Sequence, residues 1–183
     1  ITLFTKEGNV HQVKLLDVPK GKVKDKGVPI DTLVKMGKEE TLLVDTVQHI
    51  KYKRLMFITK HGLIKIVNGN EFETNRSTMT ATKLEEGDEL VSVSIVDEDS
   101  SISHVVVVSN EGFALKFAVD EVPTLKKTSK GVKTITLAEN DFVEHVFFVN
   151  VSDTENIVEI QGRAVDLQSL KVNKRNAIGV KLL

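Results

Sequence analysis

Four stretches of this chain repeat one pattern: an apolar, β-branched strand, a short polar turn ending in glycine, and a second apolar strand. They are Ile1-Thr2-Leu3-Phe4-Thr5-Lys6-Glu7-Gly8, Leu55-Met56-Phe57-Ile58-Thr59-Lys60-His61-Gly62, Val105-Val106-Val107-Val108-Ser109-Asn110-Glu111-Gly112 and Ile157-Val158-Glu159-Ile160-Gln161-Gly162. Their glycines are 54, 50 and 50 residues apart. A strand repeat of this length restricts the chain to a radial or stacked β architecture, in which each unit buries its apolar faces against its neighbours.

The third unit shows the pattern best. Val105 to Ser109 reads as a strand, Asn110-Glu111-Gly112 as a hairpin turn, and Phe113 to Ala118 as the return strand. A polar loop over residues 120–131 leads to a third strand, Val132 to Leu137. The acidic turn 138–141 then leads to a fourth, Phe142 to Val149. The second unit follows suit, with a third strand over Met79 to Leu84, the turn Glu85-Glu86-Gly87-Asp88, and a fourth strand over Glu89 to Val96. The first unit matches less closely, with residues 19–27 as its loop, and the fourth is shorter and ends at Leu183. Helical periodicity is poor, and Val, Ile and Thr are abundant. The expected fold is all-β and propeller-like, with about four four-stranded blades of roughly 50 residues. The expected repeats are approximately 1–50, 51–100, 101–150 and 151–183, in a single domain or a fragment of one.

Charge sharpens the reading. The 183 residues carry a net charge of −1, but the charges are segregated along the chain. Residues 134–162 hold six acids and no Lys or Arg, whereas residues 163–183 hold five basic residues against Asp166 alone. Aligned by repeat, the loop after the second strand is basic in three units. It carries Lys20, Lys22, Lys24 and Lys26 in the first, Lys126, Lys127, Lys130 and Lys133 in the third, and Lys171, Lys174 and Arg175 in the fourth. The second unit offers only Arg76 there. Lys65 and Lys116, on the return strands, would extend the same belt. The turns after the third strand are acidic, at Glu85, Glu86 and Asp88 and at Glu139 and Asp141. Equivalent loops of a repeat protein fall at equivalent places on its surface, so basic loops on one edge with acids elsewhere would suit a phosphate backbone. The chain has one Tyr and no Trp, too few rings for a single-strand stacking platform, which favours duplex DNA. Nothing resembles a base-reading helix, so DNA would be read through its backbone and its ability to bend.

Other chemistry finds little support. There is no Cys, which excludes disulfides and thiolate metal sites. His11, His49, His61, His104 and His145 lack the spacing of a metal pair, and Asp97-Glu98-Asp99 reads as a solvated hairpin tip rather than a calcium loop. The carboxylates at Glu85-Glu86 and Asp88-Glu89 are adjacent on a turn, which is poor geometry for a converging acid and base. No apolar run reaches the ~20 residues of a membrane span. No catalytic residue, metal or cofactor is assigned.

Several segments resemble a known family. Phe57-Ile58-Thr59-Lys60-His61-Gly62-Leu63-Ile64-Lys65-Ile66 and Gly112-Phe113-Ala114-Leu115-Lys116-Phe117 are similar to the blade opening of the C-terminal domain of bacterial type IIA topoisomerase A subunits. Residues 83–90 and Gly27-Val28-Pro29-Ile30-Asp31-Thr32-Leu33 resemble that family's third strand and following turn. The resemblance implies a β-pinwheel, a propeller-like disc whose blades exchange a strand, that binds and bends duplex DNA at its rim. It implies membership of a DNA gyrase or topoisomerase IV in the bacterial cytoplasm. The partners would be the remaining domains of the A subunit, together with the B subunit, which carries the ATPase. Cleavage would be performed by a tyrosine of another domain rather than Tyr52. The gyrase-type run Gln-Arg-Arg-Gly-Gly-Arg-Gly is absent; the nearest segments are residues 126–131 and 174–179, which leans toward a topoisomerase IV-like or divergent gyrase-like protein. The alternative is a propeller scaffold for protein–protein interaction; a propeller hydrolase is weaker.

Overall fold

A computed structural model describes residues 1–46, 49–97 and 100–182. The first repeat contributes β1 (Thr2–Thr5), β2 (Asn9–Gln12) and β3 (Leu42–Thr46). The second contributes β4 (Arg54–Thr59), β5 (Leu63–Asn68), β6 (Thr78–Thr80) and β7 (Leu90–Ile95). The third contributes β8 (Ile102–Ser109), β9 (Phe113–Ala118), β10 (Val132–Lys133) and β11 (Val143–Asn150), and the fourth β12 (Ile157–Ile160), β13 (Arg163–Asp166) and β14 (Val180–Lys181). Every helical turn among the described residues is a short 3₁₀ turn.

The strands form three antiparallel four-stranded sheets, ordered β3-β1-β2-β6, β7-β4-β5-β10 and β11-β8-β9-β14, and the two-stranded hairpin β12-β13. One of the two outer strands of each full sheet comes from the following repeat. β6 pairs with β2, β10 with β5 and β14 with β9. The fourth repeat is the shorter unit the sequence indicates: its described residues pair as a hairpin and send β14 to the third sheet. The exported strands are shorter than expected. Beyond Lys133 the chain turns away, and the Thr134 N–H closes on the Gly62 carbonyl of the receiving hairpin at 2.7 Å. Ala81 and Leu182 do the same to Gly8 and Gly112, at 2.8 and 2.9 Å.

Export requires close approach of backbones. A Cβ on Gly131 would stand 2.8 Å from the Ile64 carbonyl oxygen, and one on Gly179 2.6 Å from that of Ala114. Both residues hold positive φ, 108° and 87°, so glycine is required twice over. The first repeat's counterpart, Gly27-Val28, has no hairpin beside it among the described residues. Nothing stands within 4 Å of a Cβ built on Gly27. This is why the expected third strand is absent there, and Ile30–Thr32 is a 3₁₀ turn instead.

The inner strands are buried on both faces, as their unbroken apolar runs require. Leu55, Phe57 and Val67 face Phe4 and Val10 of the first sheet. Met56, Ile58, Ile64 and Ile66 face Val105, Val107, Leu115 and Phe117 of the third. Val106, Val108 and Ala114 cover Ile160 and Leu167 of the last hairpin. The core thus lies between sheets. Phe4, Phe57 and Phe72 interlock there, with ring centroids 5.7 to 6.0 Å apart. Asp97, read as part of a solvated tip, instead accepts the Arg54 N–H at 2.8 Å and pairs with Lys53 at 2.7 Å. Glu98 and Asp99 lie outside the described residues.

Phe57→Ala empties the meeting point of the first two sheets and is expected to cost about 3–5 kcal/mol in urea unfolding, with the m-value unchanged. Gly131→Ala should also destabilise, whereas Gly27→Ala, at an open position with positive φ, should cost clearly less in the same measurement.

Candidate nucleic-acid interface

The basic loops of the third and fourth repeats are attached at matching residues, although Asn176 holds a φ of 69° in the second loop and its counterpart Thr128 has no positive φ in the first. Thr124 makes a parallel bridge to Ile66 and Val172 an equivalent one to Lys116. Leu125 N–H donates to the Ile66 carbonyl at 2.8 Å, and Asn173 N–H to that of Lys116 at 2.9 Å. The next repeat's loop is thereby laid along the return strand of the preceding sheet before its exported strand joins that sheet.

One carboxylate fixes each loop. Glu71 Oε2 accepts the Lys127 N–H at 2.9 Å, and Glu121 Oε2 accepts the Arg175 N–H at 2.9 Å. The side chains of Lys127 and Arg175 fold back to the same glutamates, donating to the Glu71 carbonyl at 3.0 Å and the Glu121 carbonyl at 3.2 Å. Lys127 also lies over the Phe72 ring, and an Arg175 guanidinium nitrogen bonds the Lys133 carbonyl. Lys127 and Arg175 are thus clamps rather than members of an outward belt. The two glutamates were missed in the sequence, although their 50-residue spacing matches the repeat.

Lys65 and Lys116 are likewise corrected. They are 1% and 4% exposed, so neither extends a rim. Lys65 Nζ donates to the carbonyls of Lys126, Lys127 and Ser129 at 3.2, 2.8 and 2.5 Å. Lys116 Nζ donates to those of Leu167 and Gln168 at 3.0 and 3.1 Å. Burial lowers the proton affinity of both ammonium groups, Lys65 to about 8, partly opposed by Glu71 and Asp166 respectively. The same burial, together with the Lys116 charge, lowers that of His104.

Lys20, Lys22, Lys24, Lys26, Lys126, Lys133, Lys171 and Lys174 are exposed. Among the described residues no carboxylate comes within 4.0 Å of their ammonium groups. Arg76 is exposed too, on a cleft of about 680 Å³ between the first two repeats whose lining includes Lys14, Asp17, Lys51 and Glu73. Lys130 is exposed but paired with Glu85 at 2.8 Å, and that ammonium holds the Glu85 carboxyl below its ordinary range. This pair corrects the expected separation of basic loops from acidic turns: the second repeat's acidic turn touches the third repeat's basic loop. Within those turns, Asp88 accepts the N–H groups of His61 and Glu89, and Asp141 those of Glu111 and Phe142. They brace the hairpin tips.

DNA gyrase C-terminal domain, beta-propeller, is the family whose model matches residues 53–97 and 103–150, just over half of the chain. The DNA gyrase A subunit of Helicobacter pylori is 36% identical over 160 residues, covering 85% of this chain and 19% of that protein. The chain thus spans about a fifth of the length of that curated relative. The crystal structure of the C-terminal domain of DNA topoisomerase IV overlays with a TM-score of 0.87 at 22% identity, covering 99% of this chain and 57% of that one. The structure of the DNA gyrase A C-terminal domain gives 0.73 at 22% identity, covering 98% and 58%.

Glu121→Ala removes the acceptor of the Arg175 N–H. Amide exchange at residues 173–177 should accelerate by roughly fivefold, equivalent to about 1 kcal/mol for an exposed charge-assisted bond, while β8 and β9 stay protected.

Proposed function

Because the chain belongs to the DNA gyrase C-terminal domain family of β-propellers, we propose that it is a non-catalytic, duplex-DNA-binding β-pinwheel domain, or a piece of one, in the A subunit of an ATP-dependent type II topoisomerase. It bends or wraps DNA along its rim and steers the segment presented for strand passage. Its partners are the remaining domains of the A subunit, together with a B subunit that carries the ATPase. The bacterial cytoplasm is its location.

The observation that carries this reading is the recurrence of unpaired, exposed lysines on loops attached at matching positions. Lys126 and Lys174 occupy one repeat position, each beside an inward-turned basic residue. Lys171 and Lys133 flank those positions, and Lys20, Lys22, Lys24 and Lys26 supply the first repeat's share. Loops spaced by one blade can meet a duplex backbone at successive points as it curves. Contacts of this kind are charge-driven and indifferent to sequence. The near-zero net charge does not oppose it, because several carboxylates are occupied: Glu71 and Glu121 by loop N–H groups, Glu85 by Lys130 and Asp97 by Lys53.

A duplex-binding titration over a salt series tests the reading. The affinity should fall on a log–log plot with a slope of about −0.9 per phosphate neutralised. Lys126→Glu and Lys174→Glu should each weaken binding to all duplex sequences alike and flatten that slope by about 1. Absence of binding at low salt would overturn the reading, and loss confined to certain sequences would exclude backbone recognition.

A further inference from the structure

We propose that Lys65 is the positioning residue of the third repeat's basic loop: its buried ammonium gathers three loop carbonyls and so turns Lys126 outward toward phosphate. The consequence for DNA rests on the function proposed above; the holding of the loop does not.

An ammonium has three N–H groups, and three carbonyl oxygens of residues 126, 127 and 129 converge on this one. A charge buried to 1% exposure is tolerated only when its hydrogen bonds are made. The lysine belongs to the second repeat and the loop to the third, so the contact spans a blade junction. Its register is peculiar to this junction, since the buried Lys116 of the next blade sits one position further along its strand and meets Leu167 and Gln168 instead. By strand register, Lys65 opposite Phe57 corresponds to Leu115 opposite Val107 and to His11 opposite Leu3. The Glu121–Arg175 clamp forms in the next blade with leucine at that register. Sheet packing therefore does not require an ammonium there; what distinguishes this junction is the turn of loop 126–129, which lacks the positive φ that Asn176 gives the next blade's loop.

The charged groups around Lys65 are Glu71 on the preceding 3₁₀ turn, Lys127 folded onto Glu71, Lys126 and Lys130 pointing outward, Glu85 paired with Lys130, and Lys83, whose N–H meets the Lys127 carbonyl at 3.2 Å. Burial brings the Lys65 proton affinity down to about 8, with Glu71 opposing. Opening the loop returns Lys65 to water and to the ordinary lysine value, so between pH 8 and about 10.4 the opened loop, like the unfolded chain, binds the extra proton. Loop closure and this group's contribution to global stability should therefore both strengthen as pH rises through that range.

The test uses the full chain, wild type and Lys65→Met, with amide-exchange protection at residues 126–130 and affinity for a duplex, each from pH 7 to 9.5. Lys65→Met should lose about tenfold in loop protection with β4 and β8 unaffected, and about threefold to tenfold in duplex affinity at pH 7. Wild-type loop protection should rise as pH passes 8, and the variant's should not. Wild-type protection at 126–130 in the variant would overturn the proposal, as would full duplex affinity despite a loosened loop. If neither protein binds duplex, the DNA reading fails, and loop protection still decides whether Lys65 holds the loop. If the variant does not fold, the wild-type pH profile of loop protection decides alone.

Discussion

The third strands of the second, third and fourth repeats each complete the sheet of the repeat before, and the rest of the molecule depends on that exchange. The N–H groups of Ala81, Thr134 and Leu182 each reach back to a hairpin-turn glycine of the preceding unit. A hairpin so short cannot stand alone in water. It becomes stable when a foreign strand covers its outer edge and neighbouring sheets cover both faces. The exchange also decides where charge appears. The basic loop runs into the exported strand within a few residues, so the preceding repeat fixes its path, through Ile66 and Glu71 in one case and Lys116 and Glu121 in the next.

Much of this was legible in the sequence. Runs such as Leu55 to Ile58 and Val105 to Val108 admit few readings besides strands buried on both faces, and glycines at fifty-residue intervals mark the turns between them. The destination of the third strand was not legible from residues alone. Val132-Lys133 looks the same whether it joins its own sheet or another, and only the clash awaiting any Cβ at Gly131 records the difference. The family resemblance supplied the exchange instead. The first repeat shows the limit, since Gly27-Val28 has the sequence of an exported strand and no receiving edge among the described residues.

The site was legible in its loops and not in its individual lysines. A lysine on a β-strand carries the same local signature whether its ammonium meets water or a carbonyl. Lys65 and Lys116 are settled by oxygens 51 to 64 residues further along the chain. Composition cannot supply such contacts. The braces Asp88 and Asp141 were hidden for a related reason. In sequence they are two more acids on acidic turns, and their function follows from the hairpin-tip N–H groups they face.

The pairs Lys126-Lys127 and Lys174-Arg175 join these strands of the argument. In each, two adjacent basic residues part company, the first exposed and the second folded onto the glutamate of the preceding repeat. The division has a physical cause. Once the glutamate carboxylate binds the N–H of the second residue, that residue's side chain lies against the 3₁₀ turn and can reach its carbonyl. The first residue stays exposed with its charge uncompensated. A doublet of basic residues thus acts as an anchor and a contact together. Charge reversal at the anchor would disturb loop geometry as well as charge, whereas reversal at the contact would alter charge alone. A surface built this way presents fewer free cations than its sequence suggests, at positions held by the neighbouring blade rather than by the loop itself.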